Sequence, residues 1–310
     1  MNKSIVFVHG RDFKPEKKHL WALWNHAMEL GIKRDRPGML NRYKKASKEL
    51  VYYGDLSNSF LRSKGGKYNA KADVKSRKQT LTALSAYTAN QFTKATYKKL
   101  PGKASYKEFL ADVGASVLGP FRLTEGLVGT VAPDMREYWN FESEFGSYVR
   151  GTMIAPLKRA MNRGDKIMVI AHSLGTMIAY DTLWKFCRSS DYKPKYTDKK
   201  IHTLITLGSP LGDETVKRHL KGAKAEGERK YPNNIMHWHN VAAEDDFISH
   251  DSKIANDFKK MHKLTKIQEI TDHKIYNLAV RSGDSNPHHG AGYLIHPKVV
   301  KIVTDWLANK

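Results

Sequence analysis

Short apolar runs recur along the chain and are the most regular feature of its hydrophobic pattern. They are rich in Val, Ile and Leu and end at glycine, histidine or charged residues, which is typical of strands that are buried on both faces of a sheet. The strands predicted from these runs cover residues 4–8, 50–53, 166–171, 203–207, 236–242 and 275–280.

Between these runs, apolar residues recur every three or four positions, which predicts amphipathic helices. The first covers about 15–30 and stops at Gly31, the second covers 174–186, and the last covers 297–307. Because strands alternate with helices, we predict an α/β fold with a mostly parallel central sheet and helices on both faces.

A long segment interrupts this alternation between the second strand and the third. Residues 55–139 far exceed a simple connection in such folds and begin with a Gly- and Lys-rich stretch. A helical pattern with one apolar face follows at 106–121. We therefore expect a core domain formed by 1–54 and 140–310, with 55–139 as a helical cap or lid over the C-terminal edge of the sheet.

Composition adds an unusual charge to this picture. The chain has 310 residues, and its 53 Lys and Arg against 31 Asp and Glu give a formal charge of +22 at pH 7. Such a charge favours an anionic partner, such as an anionic membrane surface, although lysines scattered over a solvated surface give the same charge without any partner. The single cysteine, Cys187, excludes an internal disulfide and a multi-cysteine metal site.

Localisation is predicted from the lack of apolar segments of sufficient length. No run reaches the roughly 20 apolar residues of a membrane span, and the N-terminal stretch is too short in apolar residues for a signal peptide. We expect a cytoplasmic protein, for which peripheral association with a membrane surface stays open.

The stretch IMVIAHSLGTMIAYD contains the most informative serine of the chain. An apolar strand enters a tight turn at Ser173 and an apolar helix leaves it, which is the context of a nucleophile elbow. The positions two before and two after must be small, and Ala171 and Gly175 meet this requirement. Ser209, in LITLGSPLG, lacks a following helix and is interpreted as a wall of the pocket.

Four segments together carry a family resemblance: IVFVHG, IMVIAHSLGT, LITLGSPLG and NPHHGAGYLIHPKVV. In this order they resemble the α/β-hydrolase superfamily, in particular its lipase and esterase branch. The resemblance covers both ends and the middle of the chain but not the insertion, and it departs from the usual motif at Ala171, where glycine is common. It implies an α/β-hydrolase fold and a serine nucleophile that attacks carboxylic esters.

A serine nucleophile needs a histidine base, which a carboxylate holds in the correct tautomer. In this superfamily the chain order is serine, acid, histidine. The acid is expected in EDDFIS, where Asp246 is preferred and Asp245 is the alternative. The resemblance of NPHHGAGYL to a family pattern implies His288 as the base, and His289 stays open as the alternative.

Two backbone N–H groups are expected to form an oxyanion hole. One belongs to Leu174, directly after the nucleophile and at the start of a helix. HGRDF resembles the family's His-Gly turn, which implies the backbone of Arg11 as the second donor, with Asp12 less favoured and His9 supporting the loop. The remaining histidines show no metal-ligand spacing on a helix face, so we expect neither a metal nor another cofactor.

The predicted function is that of a serine hydrolase that cleaves carboxylic esters of small molecules or lipids with an apolar acyl group. Aromatic residues of the insertion are expected to line the acyl site: Tyr87, Phe92, Phe109 and Phe121. The alternative is a non-catalytic binding protein on the same scaffold, which holds anionic membrane or nucleic acid on its basic surface. Nucleic acid is the less favoured partner, because the sequence has no stacking-aromatic or basic-helix motif.

Overall fold

The computed structural model describes residues 2–102, 132–140, 142–249, 252–265 and 267–309, and a six-stranded sheet lies at its centre. The strands are β1 (Lys3–Val8), β2 (Ser47–Val51), β3 (Lys166–His172), β4 (Ile201–Leu207), β5 (Ile235–Ala243) and β6 (Glu269–Ile275). They lie in the order β2-β1-β3-β4-β5-β6, and all neighbouring pairs are parallel. The predicted α/β class with a mostly parallel sheet is therefore confirmed.

Helices connect these strands and cover the sheet. In chain order the described helices are α1 (Lys17–Asp35), α2 (Leu40–Lys45), α3 (Gly54–Ser63), α4 (Ala70–Ser85), α5 (Lys94–Lys98), α6 (Pro133–Trp139), α7 (Phe145–Asn162), α8 (Leu174–Arg188), α9 (Lys193–Tyr196), α10 (Glu214–His219), α11 (Ile254–Asp257), α12 (Lys259–Leu264), α13 (Gly290–Leu294) and α14 (Pro297–Ala308). A small antiparallel pair, β7 (Val280–Arg281) and β8 (Asp284–Ser285), precedes α13. In the part of the chain that the structure describes, no helix is long and apolar enough to cross a bilayer.

Two apolar cores lie on opposite faces of the sheet. In β1, Val6 and Val8 belong to the core that contains α7 and α8, whereas Ile5 and Phe7 belong to the core that contains α1 and α14. This alternation is the period-two pattern of a strand. Because both faces are covered, the central strands are apolar at nearly every position, as the sequence pattern indicated.

Three predicted elements are wrong in their bounds, and the second strand, predicted at 50–53, is β2 at Ser47–Val51. Helix α1 runs through Gly31 to its end, and an added Cβ at Gly31 would lie 2.6 Å from Cγ2 of Val300. This glycine therefore allows α14 to approach α1 closely and does not stop the helix. The last strand of the main sheet, predicted at 275–280, is β6, an edge strand whose mostly half-buried side chains include many polar residues and so give no apolar run.

The segment predicted as a cap, residues 55–139, is described except for 103–131. Its helix α4 packs against α1 and β7 and places Leu81 and Leu84 in the core on the α1 face. The helical pattern predicted at 106–121 lies outside the described residues. The division of the chain into a core and a cap stays a prediction.

Gly175 lies in the first turn of α8, directly against the end of β1. An added Cβ would lie 2.7 Å from the carbonyl oxygen of Val8 and closer still to that of His9. Since both are backbone atoms at or directly after the end of β1, we expect Gly175→Ala to lower the free energy of unfolding by about 1–3 kcal/mol in urea denaturation. Gly38→Ala is the control, because nothing lies within 4 Å of a Cβ there; equal losses in both variants would contradict this account.

Candidate active site

Ser173 lies in the tight turn between β3 and α8. Its φ of 56° and ψ of −132° are uncommon for a residue with a side chain and cost roughly 1–3 kcal/mol. Its amide donates to the carbonyl of Leu207 at the end of β4 (3.0 Å), and its own carbonyl accepts from the amide and hydroxyl of Thr176. The adjacent strand and helix thus hold the strained turn in place, as a nucleophile elbow requires.

The hydroxyl of Ser173 meets a histidine from a distant part of the chain. Nε2 of His288 lies 2.9 Å from Oγ of Ser173, and Nδ1 of the same ring lies 2.9 Å from both carboxylate oxygens of Asp246. Because an ionised carboxylate can only accept, Nδ1 carries the imidazole proton and Nε2 is left to accept from the serine. The structure brings together the three residues that the sequence analysis preferred.

The two alternative residues point elsewhere. His289 is 6 % exposed, and neither of its ring nitrogens has a hydrogen-bond partner among the described residues. Asp245 has a positive φ of 58° and accepts from the hydroxyl of Tyr97 at 3.1 Å. Within the described ranges, neither of these side chains forms a hydrogen bond to Ser173 or to His288.

Asp246 is fully enclosed and surrounded by donors. The hydroxyl of Tyr293 donates to its Oδ2 at 2.5 Å, and the amide of Ile248 donates to its Oδ1 at 3.0 Å. Burial alone would raise the pKa of this carboxyl, but His288 and the hydrogen bonds from His288 and Tyr293 hold the pKa below its ordinary value. Asp246 is therefore ionised at neutral pH and fixes the tautomer of His288.

Gly208 and His172 also shape the surroundings of the triad, a role that the sequence reasoning missed. Gly208 has a φ of +53°, and a Cβ there would lie 2.8 Å from Oδ2 of Asp246. His172 donates from Nε2 to the carbonyl of His288 at 2.8 Å. Burial, with His288 close by, lowers the pKa of His172 well below its ordinary value, so a neutral ring positions the loop. For Gly208, the Gly-Ser-Pro turn was the one feature of the sequence that could have indicated this role.

The loop after β1 runs directly beside Ser173. A Cβ on Gly10 would lie 2.6 Å from Cβ of Ser173, so only a glycine backbone fits at this contact. His9 supports the loop as expected, since its Nδ1 donates to the carbonyl of Gly10 (2.8 Å) and its Nε2 accepts from the amide of Tyr53 (3.2 Å). The hydroxyl of Tyr53 donates in turn to the carbonyl of His9 at 2.6 Å.

The predicted oxyanion donors lie in this loop and at the start of α8. Leu174 is the first residue of α8, where backbone N–H groups have no acceptor within the helix. The amide of Asp12, the less favoured donor in the loop, is bound to Oδ2 of Asp134 at 2.7 Å. Nε of Arg11 donates to Oδ1 of the same carboxylate at 2.9 Å. Asp134 thus fixes the loop, and the backbone of Arg11 stays the predicted second donor.

Lys14 holds the same loop from inside. Its Nζ donates to the carbonyl oxygens of Arg11, Asp12 (3.2 Å) and Phe13 (3.3 Å). Burial lowers the pKa of Lys14 to about 7. Three carbonyls gathered on one amino group orient the three peptide units of this turn, and sequence reasoning gave this lysine no role.

A small cavity of about 170 Å³ opens beside Ser173. Its described lining is mostly polar and includes Arg11, Lys14, Arg77, Arg281 and His289. A cavity of this size accommodates a short chain of a few heavy atoms. The wall of this cavity is therefore more cationic than the aromatic acyl site predicted from the sequence.

Three residues predicted to line the pocket lie elsewhere. Tyr87 and Phe92 stack edge-to-face against each other in the core on the α1 face. The hydroxyl of Ser209 donates to Thr176 (3.0 Å) and accepts from the amide of Leu211 (3.2 Å), so this serine stabilises the turn after β4 and is not a pocket wall. The other two aromatic residues expected at the acyl site lie outside the described residues: Phe109 and Phe121.

The described site therefore brings together a strained serine, an imidazole, an ionised carboxylate and backbone amides at a helix start. Such a set moves a proton from the hydroxyl to the imidazole while the oxygen attacks an electrophilic centre. Within the described ranges, no group of three or more His, Cys, Asp or Glu residues could hold a metal ion. In comparisons with known proteins, the chain matches no family model, no curated protein and no solved structure.

Proposed function

We propose that this chain is a serine hydrolase of the α/β-hydrolase superfamily that cleaves carboxylic esters through an acyl-enzyme. The observation that carries the proposal is the relay from Ser173 Oγ to His288 Nε2, and from His288 Nδ1 to Asp246, at 2.9 Å in each step. The order of the three residues in the chain and the elbow between a strand and a helix agree with this superfamily.

In the proposed reaction, Oγ of Ser173 forms a bond to the ester carbonyl carbon while Nε2 of His288 takes the hydroxyl proton. The tetrahedral intermediate collapses, the bond to the alcohol oxygen breaks, and His288 gives its proton to the leaving alcohol. Water then attacks the acyl-serine, His288 again moves the proton, and the acid leaves. Asp246 stays ionised and stabilises the imidazolium in both halves.

Negative charge on the carbonyl oxygen would be stabilised by the amides of Leu174 and Arg11. Each such donor contributes roughly 3 kcal/mol to transition-state stabilisation in well-studied hydrolases. Lys14 and Asp134 are positioning residues in this account, because their hydrogen bonds fix the turn that carries the second amide. An ester is preferred to an amide on the resemblance alone, since the triad serves both.

An activity screen tests the proposal. We expect saturable hydrolysis of 4-nitrophenyl acetate and butyrate, whose acyl groups are short enough to lie within the cavity of about 170 Å³ beside Ser173. The measurement is the initial rate of nitrophenol release, with 4-nitrophenyl phosphate as a control that should not be turned over. A folded protein that hydrolyses no ester of the series would contradict the proposal and favour a binding protein on the same scaffold.

A further inference from the structure

Two arginines share one carboxylate at the wall of the cavity beside Ser173. Nε of Arg77 lies 2.9 Å from both oxygens of Asp73, and Nη2 of Arg281 donates to Oδ1 of the same carboxylate. The hydroxyl of Tyr68 adds a third donor at 2.7 Å from Oδ2. Two guanidinium groups thus face one carboxylate, so this corner carries an excess positive charge.

Both arginines keep N–H groups beyond those that bond to the described residues. A guanidinium has five N–H groups. The bonds to described residues use Nε of Arg77, and Nη2 and Nε of Arg281, the last donating to Oγ of Ser76 at 3.2 Å. Both side chains are mostly buried, at 14 % and 28 % exposure, and both line the cavity. The remaining N–H groups of the two arginines are therefore poorly accessible to water.

His289 is the second and independent observation at this corner. The residue is 6 % exposed and lines the same cavity, and neither ring nitrogen has a partner among the described residues. Burial, followed by the charges of Arg77 and Arg281, lowers its pKa to about 3, so the ring is neutral and carries one N–H donor. A buried polar group without a partner is unfavourable, and an acceptor in the cavity would provide the missing hydrogen bond.

We infer that Arg77, Arg281 and His289 form an anion subsite, and that the ester cleaved at Ser173 carries a carboxylate or phosphate group within a few atoms of its reacting carbonyl. This inference rests on the proposed function. The planar fork of arginine matches both anions, and such charge-assisted hydrogen bonds are about twice as strong as neutral ones. The anion and the scissile carbonyl must lie close together, because one cavity of about 170 Å³ contains both the subsite and the serine.

Three small esters test the inference and show where the anion lies. Monomethyl succinate carries a carboxylate on the acyl side, acetoxyacetate carries it on the alcohol side, and dimethyl succinate is the neutral match. We expect kcat/KM for one of the charged esters to exceed that of dimethyl succinate by about 10- to 100-fold. Equal kcat/KM for charged and neutral esters would overturn the inference.

Variants then assign the preference to the subsite. We expect Arg281→Gln to lower the ratio of charged to neutral kcat/KM by about 10-fold or more. Arg159→Gln removes an equal charge from α7, where Arg159 is exposed and pairs with Glu49, and should leave the ratio unchanged. If both variants change the ratio equally, the preference for charged esters comes from the overall positive charge of the protein. That result would overturn the subsite.

A binding measurement separates this inference from the proposed function. In calorimetry with Ser173→Ala, the preferred charged ester should bind, and adding Arg281→Gln should weaken binding by about 10-fold or more. Binding that depends on Arg281, in a protein that turns over no ester, would leave the subsite standing and contradict the hydrolase. Ester turnover without any preference for the charged esters would support the hydrolase and contradict the anion subsite.

Discussion

Replacing Asp246 with asparagine lowers kcat for ester hydrolysis by about 10⁴-fold, the loss known for this change in a serine protease triad. The carboxylate holds the proton on Nδ1 of His288, which leaves Nε2 free to accept from Ser173. An asparagine amide in its place can donate to Nδ1 and thereby favours the wrong tautomer. The measurement is kcat on 4-nitrophenyl acetate, together with near-UV circular dichroism to show that packing is retained.

The neighbouring aspartate provides a matched control. Asp245 contacts Tyr97, and its positive φ is one that asparagine tolerates well. Asp245→Asn should therefore change kcat by less than about 3-fold, since its side chain makes no bond to the triad. Similar losses in both variants, or full activity of Asp246→Asn, would show that the relay seen between Ser173 and Asp246 is not used in catalysis.

We expect acid to destabilise this protein steeply between about pH 6 and pH 4. Burial, as the largest cause, lowers the pKa of His9, His289 and His296 from 6.5 to about 3, with cations adding to the effect. In this window the unfolded chain binds protons that the folded chain does not, so the free energy of unfolding falls as the pH falls below 6.5. Each histidine contributes up to about 1.4 kcal/mol per pH unit, which gives about 4 kcal/mol per unit for the three.

Urea denaturation at a series of pH values measures this slope, and His296→Asn isolates one of its sources. Nδ1 of His296 accepts from the amide of Lys298 at the start of α14, and asparagine caps helices equally well. The variant should fold and lose up to about 1.4 kcal/mol per pH unit of the slope, the share of one histidine. Stability that stays flat from pH 6.5 to pH 4, or an unchanged slope in the variant, would mean that these rings are charged in the folded protein.

The central strands could be predicted from sequence because burial on both faces leaves an unambiguous apolar run. For β1, β3 and β4 the predicted and observed bounds agree within two residues. The same rule failed for β6, EITDHKI, where the sheet ends and most side chains are half-buried. Gly31 was misread because a glycine that ends a helix and one that admits a neighbouring helix have the same local sequence.

The candidate site could be predicted only as far as local sequence determines it. Ser173 stands in a strand–turn–helix pattern that is visible in one stretch, but His288 and His289 are adjacent in a loop and face different surroundings. Their orientation depends on contacts such as those of Tyr293 and Gly208, which come from other parts of the chain. The cationic wall of the cavity could not be predicted for the same reason, because Asp73 and Arg281, which are bonded there, are 208 positions apart in the sequence.

The most direct test of the central claim is labelling with a fluorophosphonate, which reacts with serines activated by a histidine, followed by mass spectrometry of the intact protein and its peptides. The account predicts one adduct per chain, located on Ser173 and absent from Ser173→Ala. Ser209→Ala should be labelled like the wild type, because the hydroxyl of Ser209 donates to Thr176. A folded wild-type protein that takes no label, or an adduct that persists in Ser173→Ala, would contradict the assignment of Ser173 as the nucleophile.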